Sequence, residues 1–189
     1  MIVATPAGLM RSDYTLTDPA GSGAPFGEVH LRLFRGGRLT VGDADYDVEA
    51  TDWTQTSLSL VRGGRRVAVA ERPQVWRRRT EVTVAAEAVG LGADLALDFA
   101  PEGWLGRAWT LTADGLDAGR LDWRGGWKPR LEADFSDALV PLVAQAFLVV
   151  VAVVERRRQG RKRHWPPAGM RRRRPCRRHT SRAPLRVLA

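Results

Sequence analysis

The chain has 189 residues and a formal net charge of +9, from 30 Lys and Arg against 21 Asp and Glu. That charge is unevenly placed: residues 1–154 carry 16 basic and 20 acidic side chains, and residues 155–189 carry 14 basic and one acidic. The high isoelectric point thus belongs to a C-terminal tail, and the body is mildly acidic, so the whole-chain figure does not make the body a nucleic-acid-seeking protein. The one cysteine, Cys176, and two of the three histidines, His164 and His179, also lie in the tail. With His30 as its sole imidazole and no thiol, the body is excluded from Cys/His zinc chemistry, disulfide frameworks and thiol nucleophiles. Asparagine is absent and Arg far outnumbers Lys, as GC-rich coding produces, so a bacterial protein of a reducing compartment is expected.

Residues 1–13 lack a basic segment followed by an apolar core, so no secretory signal is expected, and they read as a flexible N-terminus. From Tyr14 to Phe135 apolar residues alternate with polar ones and are interrupted by glycine or acidic turns, the pattern of antiparallel strands. Val29, Leu31 and Leu33, then Tyr46 and Val48, then Leu58 and Leu60 form one dry face. Val67 and Val69, Val82 and Val84, and Leu95, Leu97 and Phe99 continue it, followed by Trp109 and Leu111, Leu121 and Trp123, and Leu131, Ala133 and Phe135. Read this way, the segments amount to about nine or ten strands. Gly36-Gly37 and Gly63-Gly64 read as hairpin tips rather than phosphate-binding loops, because strands flank them on both sides. Gly21 to Gly27 fails as a dinucleotide fingerprint in both spacing and context. Two passages look like copies: Tyr14-Thr15-Leu16-Thr17 with Gly27-Glu28-Val29, and Trp109-Thr110-Leu111-Thr112 with Gly119-Arg120-Leu121.

Residues 138–154 break the alternation and are apolar on every side except Gln145. Ser136 or Asp137 can cap a helix there, and Pro141 suits a first turn. Such a helix has to be shielded all round, either by the protein interior or by a bilayer, whose core needs roughly 17–25 residues to cross. A barrel wider than about eight strands needs a plug or leaves a cavity, and an all-apolar helix after the last strand is such a plug, which favours the interior, while the arginines that follow would suit a membrane anchor.

These features together resemble the tubby C-terminal-like superfamily, closest to its LURP-one-related and phospholipid-scramblase-like members. The resemblance rests on Tyr14-x-Leu16-x-Asp18-x-x-Gly21, the Gly-Gly pairs, the second aromatic-Thr-Leu-Thr passage and the final apolar helix, and it covers about 14–154. It implies a mainly β fold: a closed antiparallel barrel of roughly 10–12 strands around one central C-terminal helix at about 138–156, within a domain of 14–158. No catalytic residue or cofactor carries over. Tubby proteins bind phosphoinositides through basic surface residues, which suggests an anionic phospholipid surface as partner. Candidate headgroup contacts are Arg77, Arg78, Arg79, Lys128, Arg130, Arg156, Arg157 and Arg158. A monomer is expected, cytoplasmic and peripheral at the inner membrane face; the alternative is a single-span protein anchored by 138–154.

Residues 159–189, rich in Arg and Pro, read as a disordered tail that can attract anionic lipid or, weakly, nucleic acid, with Trp165 able to stack or sit at an interface. GC-rich coding accounts for that arginine equally well. His30 with Ser57 or Ser59 and Asp43 would be the best catalytic grouping, but His30 falls on the wet phase of its strand. Asp43, Asp45, Asp47, Glu49 and Asp52 read as a solvated acidic face rather than a cation cage, and six of the seven tryptophans suit burial or rim packing better than a ligand cage.

Overall fold

The computed structural model describes residues 1–7, 12–18, 20–21, 23–32, 36–51, 56–73, 79–103, 107–125 and 129–164, with the backbone alone for Val89 and 160–164. Twelve strands close into a barrel, each paired antiparallel with its sequence neighbours and the first with the last. They are β1 (Ile2–Pro6), β2 (Asp13–Thr17), β3 (Pro25–Arg32), β4 (Gly36–Val41), β5 (Ala44–Ala50) and β6 (Ser57–Arg62), then β7 (Arg65–Glu71), β8 (Thr80–Val84), β9 (Leu95–Glu102), β10 (Ala108–Ala113), β11 (Leu116–Arg124) and β12 (Arg130–Phe135). A short helix α1 (Ala86–Val89) joins β8 to β9, and α2 (Leu142–His164) follows β12. The closed barrel around a C-terminal helix is the fold the sequence leads one to expect.

Closure depends on the first residues of the chain. Ile2, Val3 and Ala4 pair with Ala133, Glu132 and Leu131 of β12, and Val3 to Pro6 pair with β2. The N-terminal segment is therefore a wall strand where a flexible arm is expected, with Ile2 and Ala4 buried. Without it β2 and β12 would be left with open edges, which pair readily with other chains.

Alternation places one face of every strand in the lumen, where Leu16, Val29, Leu39, Leu60, Val84, Phe99, Leu111, Leu121 and Leu131 are fully buried. β7 departs from the expected phase. Leu60 pairs with Ala68 and Val61 with Arg66, so Val67 is an extra, bulged residue, and beyond it Ala68 and Ala70 face inward while Val69 does not. Those small side chains line a wall that α2 approaches closely, as it also approaches β4 and β12. From Ala144 to Val154 the helix is buried on all sides. Its bounds differ from 138–156: residues 137–140 form a turn in which the Val140 N–H donates to the Ser136 carbonyl, and the Gln145 N–H bonds the Pro141 carbonyl at 3.0 Å. Asp137 serves the helix entrance by accepting from Gln145 Nε2 at 2.9 Å, which satisfies the one polar side chain of the apolar stretch. At the other end the helix runs on to His164, into what reads as disordered tail. Among the described residues, no helix is long and apolar enough to cross a membrane.

Gly63 and Gly64 form the β6–β7 tip with φ of 56° and 78°, as a primed turn needs. Gly36-Gly37 is not a tip; it opens β4, where a Cβ on Gly36 would lie 1.8 Å from the Val48 carbonyl oxygen of β5.

The two similar passages are structurally equivalent. β2–β3 and β10–β11 are hairpins with a bulge at the same place: Leu16 faces Gly27 with Phe26 extra, and Leu111 faces Gly119 with Ala118 extra. Each glycine lets the next strand close in, since a Cβ would stand 2.5 Å from the Thr40 carbonyl oxygen at Gly27 and 2.5 Å from that of Asp134 at Gly119. Gly27→Ala and Gly119→Ala are each expected to lower the unfolding free energy by about 1–3 kcal/mol, as overpacking does. The check is a urea midpoint that falls with an unchanged slope; an unmoved midpoint would remove the close-approach argument.

Candidate functional site at the helix-exit end

Because each strand reverses direction, successive connections alternate between the two ends of the barrel, and α2 enters at one end and leaves at the other. The ends differ sharply in charge. At the entry end lie the connections 18–24, 42–43, 63–64, 85–94, 114–115 and 136–141, which contain Asp18, Asp43, Glu87, Asp94, Asp114 and Asp137 and no Lys or Arg. At the exit end, Arg72 and Arg79 flank the β7–β8 connection and Arg107 precedes β10. By sequence the exit-end connections also hold Arg11, Arg35, Arg77, Arg78 and Lys128, against one acid, Asp52, all outside the described residues. The contrast is one of the connections: Arg62 and Arg65 flank the 63–64 tip, and Asp13, Glu71 and Glu102 stand at the exit-end strand ends.

Of the eight candidate headgroup residues, Arg79, Arg130, Arg156, Arg157 and Arg158 belong to this end. Arg77, Arg78 and Lys128 lie outside the described residues, in the β7–β8 and β11–β12 connections of the sequence. Arg79 Nε donates to Asp98 Oδ1 at 2.9 Å, with a second bond from its terminal nitrogen to Asp98 Oδ2. Arg130 forks onto Glu132 Oε1 at 2.8 and 2.7 Å. Both arginine side chains are more than half exposed, and pairs of this kind are worth only about 0–1 kcal/mol, so a phosphate can displace the carboxylate at little cost. Arg156 stacks over the Trp123 ring, 4.1 Å from its centroid, and Arg157 lies on the same turn. Arg158 bonds Glu155 and is only 13 % exposed, so it is committed to the barrel mouth. Glu155 also pairs with Arg72, a buried partner that sequence reading passed over because Arg72 stands alone between Glu71 and Pro73.

On the outer wall near the same end, β3, β4 and β5 form a groove of about 480 Å³ floored by Gly37 and lined by His30, Arg32, Arg38, Asp47 and Glu49. Its charges nearly balance, so it favours neither sign of ligand. His30 bridges Asp13 and Glu28, with Nδ1 and Nε2 each 3.2 Å from a carboxylate oxygen. The hydrogen bond to Asp13 raises its pKa above the usual 6.5; desolvation opposes the rise, and the hydrogen bond to Glu28 adds to it. The contribution of this contact to stability is complete below the unfolded-state value and fades as pH rises through the folded one. An NMR titration of the His30 ring is expected to shift to lower pH in Asp13→Asn; an unchanged midpoint would count against the assignment. The catalytic grouping weighed for His30 does not assemble, since Ser57 and Ser59 lie three strands away on β6 and Asp43 is at the far end. Among the described residues, no group of three His, Cys, Asp or Glu side chains could hold a metal ion.

Comparison with protein-family models, with curated proteins and with solved structures finds no match to this chain.

Proposed function

We propose that this protein is a non-catalytic barrel that binds anionic phospholipid surfaces peripherally through the helix-exit end. One observation carries the reading: the connections sort by charge, with basic residues at the end where the arginine-rich segment emerges and acids at the other. A twelve-strand barrel threaded by one C-terminal helix is also what a tubby-like relationship implies, and it supports placing the chain near the LURP-one-related and scramblase-like proteins. The setting proposed is the cytoplasmic face of a bacterial inner membrane, where anionic lipids attract about 1 kcal/mol per basic residue near the surface.

Cosedimentation of the full chain with vesicles tests this. Binding is expected to anionic vesicles, to weaken steeply with salt, and to fall about 100-fold in Arg77→Ala/Arg78→Ala/Lys128→Ala. Equal binding to neutral vesicles at every salt concentration would refute it. Loss of vesicle binding on deletion of 165–189 alone, with the triple variant unaffected, would assign the interaction to the tail.

A further inference from the structure

We infer that the outer groove of β3, β4 and β5 binds a small zwitterion, a peptide of two or three residues with free termini, its carboxylate held by Arg32 and Arg38 and its ammonium group by Asp47 and Glu49. This is independent of the lipid-binding reading. The starting point is the phase of three strands. His30 and Arg32 on β3, Arg38 on β4, and Asp47 and Glu49 on β5 all fall on the exposed phase. The register orders them in two rows. His30 faces Arg38, which in turn faces Asp47. Arg32 faces Gly36, and a Cβ built on Gly36 would stand 3.2 Å from the Glu49 Cα on its other side. Bases thus line one side of the groove and acids the other. A groove that favours neither net sign still favours a molecule that carries both.

Two further observations point to an occupant. The first is that the four charges leave one another unsatisfied. Among the described residues, Arg32, Arg38, Asp47 and Glu49 make no ion pair, although Arg38 stands directly opposite Asp47. On β9 to β12, by contrast, Arg120, Arg124 and Arg130 all pair with acids of their own wall. The acids bordering the groove are engaged as well: Asp13 and Glu28 hold His30, and Asp45 accepts from Thr40 Oγ1 at 2.8 Å. The second observation is the floor. Gly36 and Gly37 place no side chain between Arg32 and Glu49, and a side chain at either position would collide with a neighbouring strand, the Gly37 Cβ lying 2.1 Å from the His30 carbonyl oxygen. The gap left open spans two strand spacings, about 10 Å, which is also the length of an extended tripeptide. Its volume of about 480 Å³ falls within the range of about 300–1,000 Å³ of small-molecule sites. Arginine suits the carboxylate because its planar fork can give two parallel N–H···O bonds, and the Asp47 and Glu49 oxygens accept from an ammonium group. A ligand of one sign is drawn to one side and repelled by the other, so the two free termini are the feature recognised.

The test is a backbone NMR titration of the full chain with trialanine, N-acetyl-trialanine and trialanine amide. Trialanine is expected to shift the amide signals of Gly37, Arg38 and Val48, and each capped form to bind about tenfold more weakly, the effect of losing one charge-assisted hydrogen bond. Arg32→Gln and Glu49→Gln, both at exposed positions, are each expected to weaken trialanine binding by a similar factor. Arg32→Gln should add nothing to the weakness of the amide, and Glu49→Gln nothing to that of the acetylated form, while Arg120→Gln leaves all three unchanged. No shift of the groove signals at about 10 mM trialanine, equal binding of free and capped peptides, or an equal loss in Arg120→Gln would overturn the site. Tighter binding of glycerophosphoethanolamine than of trialanine would assign the same charges to a lipid headgroup and overturn the peptide.

Discussion

Phe147→Ala is expected to lower the unfolding free energy by about 3–5 kcal/mol, a large part of the roughly 5–15 kcal/mol that holds a domain of this kind. Phe147 is fully buried near the start of the apolar run of α2, and the residues after it through Val154 are buried too. A ring removed there leaves a cavity bounded by strands on all sides, and a closed barrel cannot collapse to fill it because its circumference is fixed by hydrogen-bonded neighbours. Leu142→Ala is the control: Leu142 is 49 % exposed at the helix entrance, and its loss is expected to stay within about 0.5 kcal/mol. Urea unfolding of both variants decides the matter. A Phe147→Ala cost below about 1 kcal/mol would mean that the helix is not packed inside the barrel.

Local patterning made most of the wall legible, because period-two alternation is a property of each strand alone. The phase was lost only where a residue is inserted: Val67 obeys the alternation, but the bulge it makes moves Val69 out and Ala68 and Ala70 in. Nothing in Arg65-Arg66-Val67-Ala68-Val69-Ala70 distinguishes these phases until the pairing with Leu58 and Leu60 is known. Two strands escape the pattern: β4, because Gly36-Gly37 reads as a tip and takes the start of the strand with it, and β1. Ile2 to Pro6 is short and carries only two buried side chains, and its place in the barrel comes from β12, about 130 residues away. The paired hairpins could be recognised because Gly27 and Gly119 leave the same mark in the sequence as in the register.

The candidate site was legible residue by residue but not as a place. Arg77 to Arg79, Lys128, Arg130 and Arg156 to Arg158 stand out as charges, yet their convergence depends on parity, since only the number of strands says which connections share an end. Adding β4 between β3 and β5, where Gly36-Gly37 reads as a tip, fixes that parity, after which the connections 18–24, 42–43, 85–94 and 114–115, with their acids, share one end. Arg72 and Glu155, 83 residues apart, could not be linked from sequence at all.

Glu155→Ala is expected to cost about 3–5 kcal/mol, the range for removing one partner from a buried ion pair. Glu155 is the first charged side chain after the apolar run of α2 and the only acid in that helix. Its carboxylate meets Arg72 at 3.4 Å on one oxygen and Arg158 on the other, with Arg72 and Glu155 side chains 8 % and 9 % exposed. The apolar lumen alone sets no sharp axial position, since Val149, Val150, Val151 and Val153 are near-equivalent occupants under a one-turn slide of about 5.4 Å. The ion pair does set one, because a slide in either direction would carry the carboxylate away from Arg72 and into the apolar lumen or out to solvent. Replacing both partners by leucine should therefore recover most of the stability, since apolar substitutes for a buried pair are often neutral or stabilising, with Arg158 reaching water from the mouth. The recovered protein should nevertheless hold its helix less uniquely, seen as broadened NMR signals from Phe147 and Trp123. A double-mutant cycle between Arg72→Leu and Glu155→Leu checks the energetics, with coupling expected in the range of about 0.5–3 kcal/mol. Additive losses, or a Glu155→Ala cost below about 1 kcal/mol, would show that packing alone fixes the helix in register.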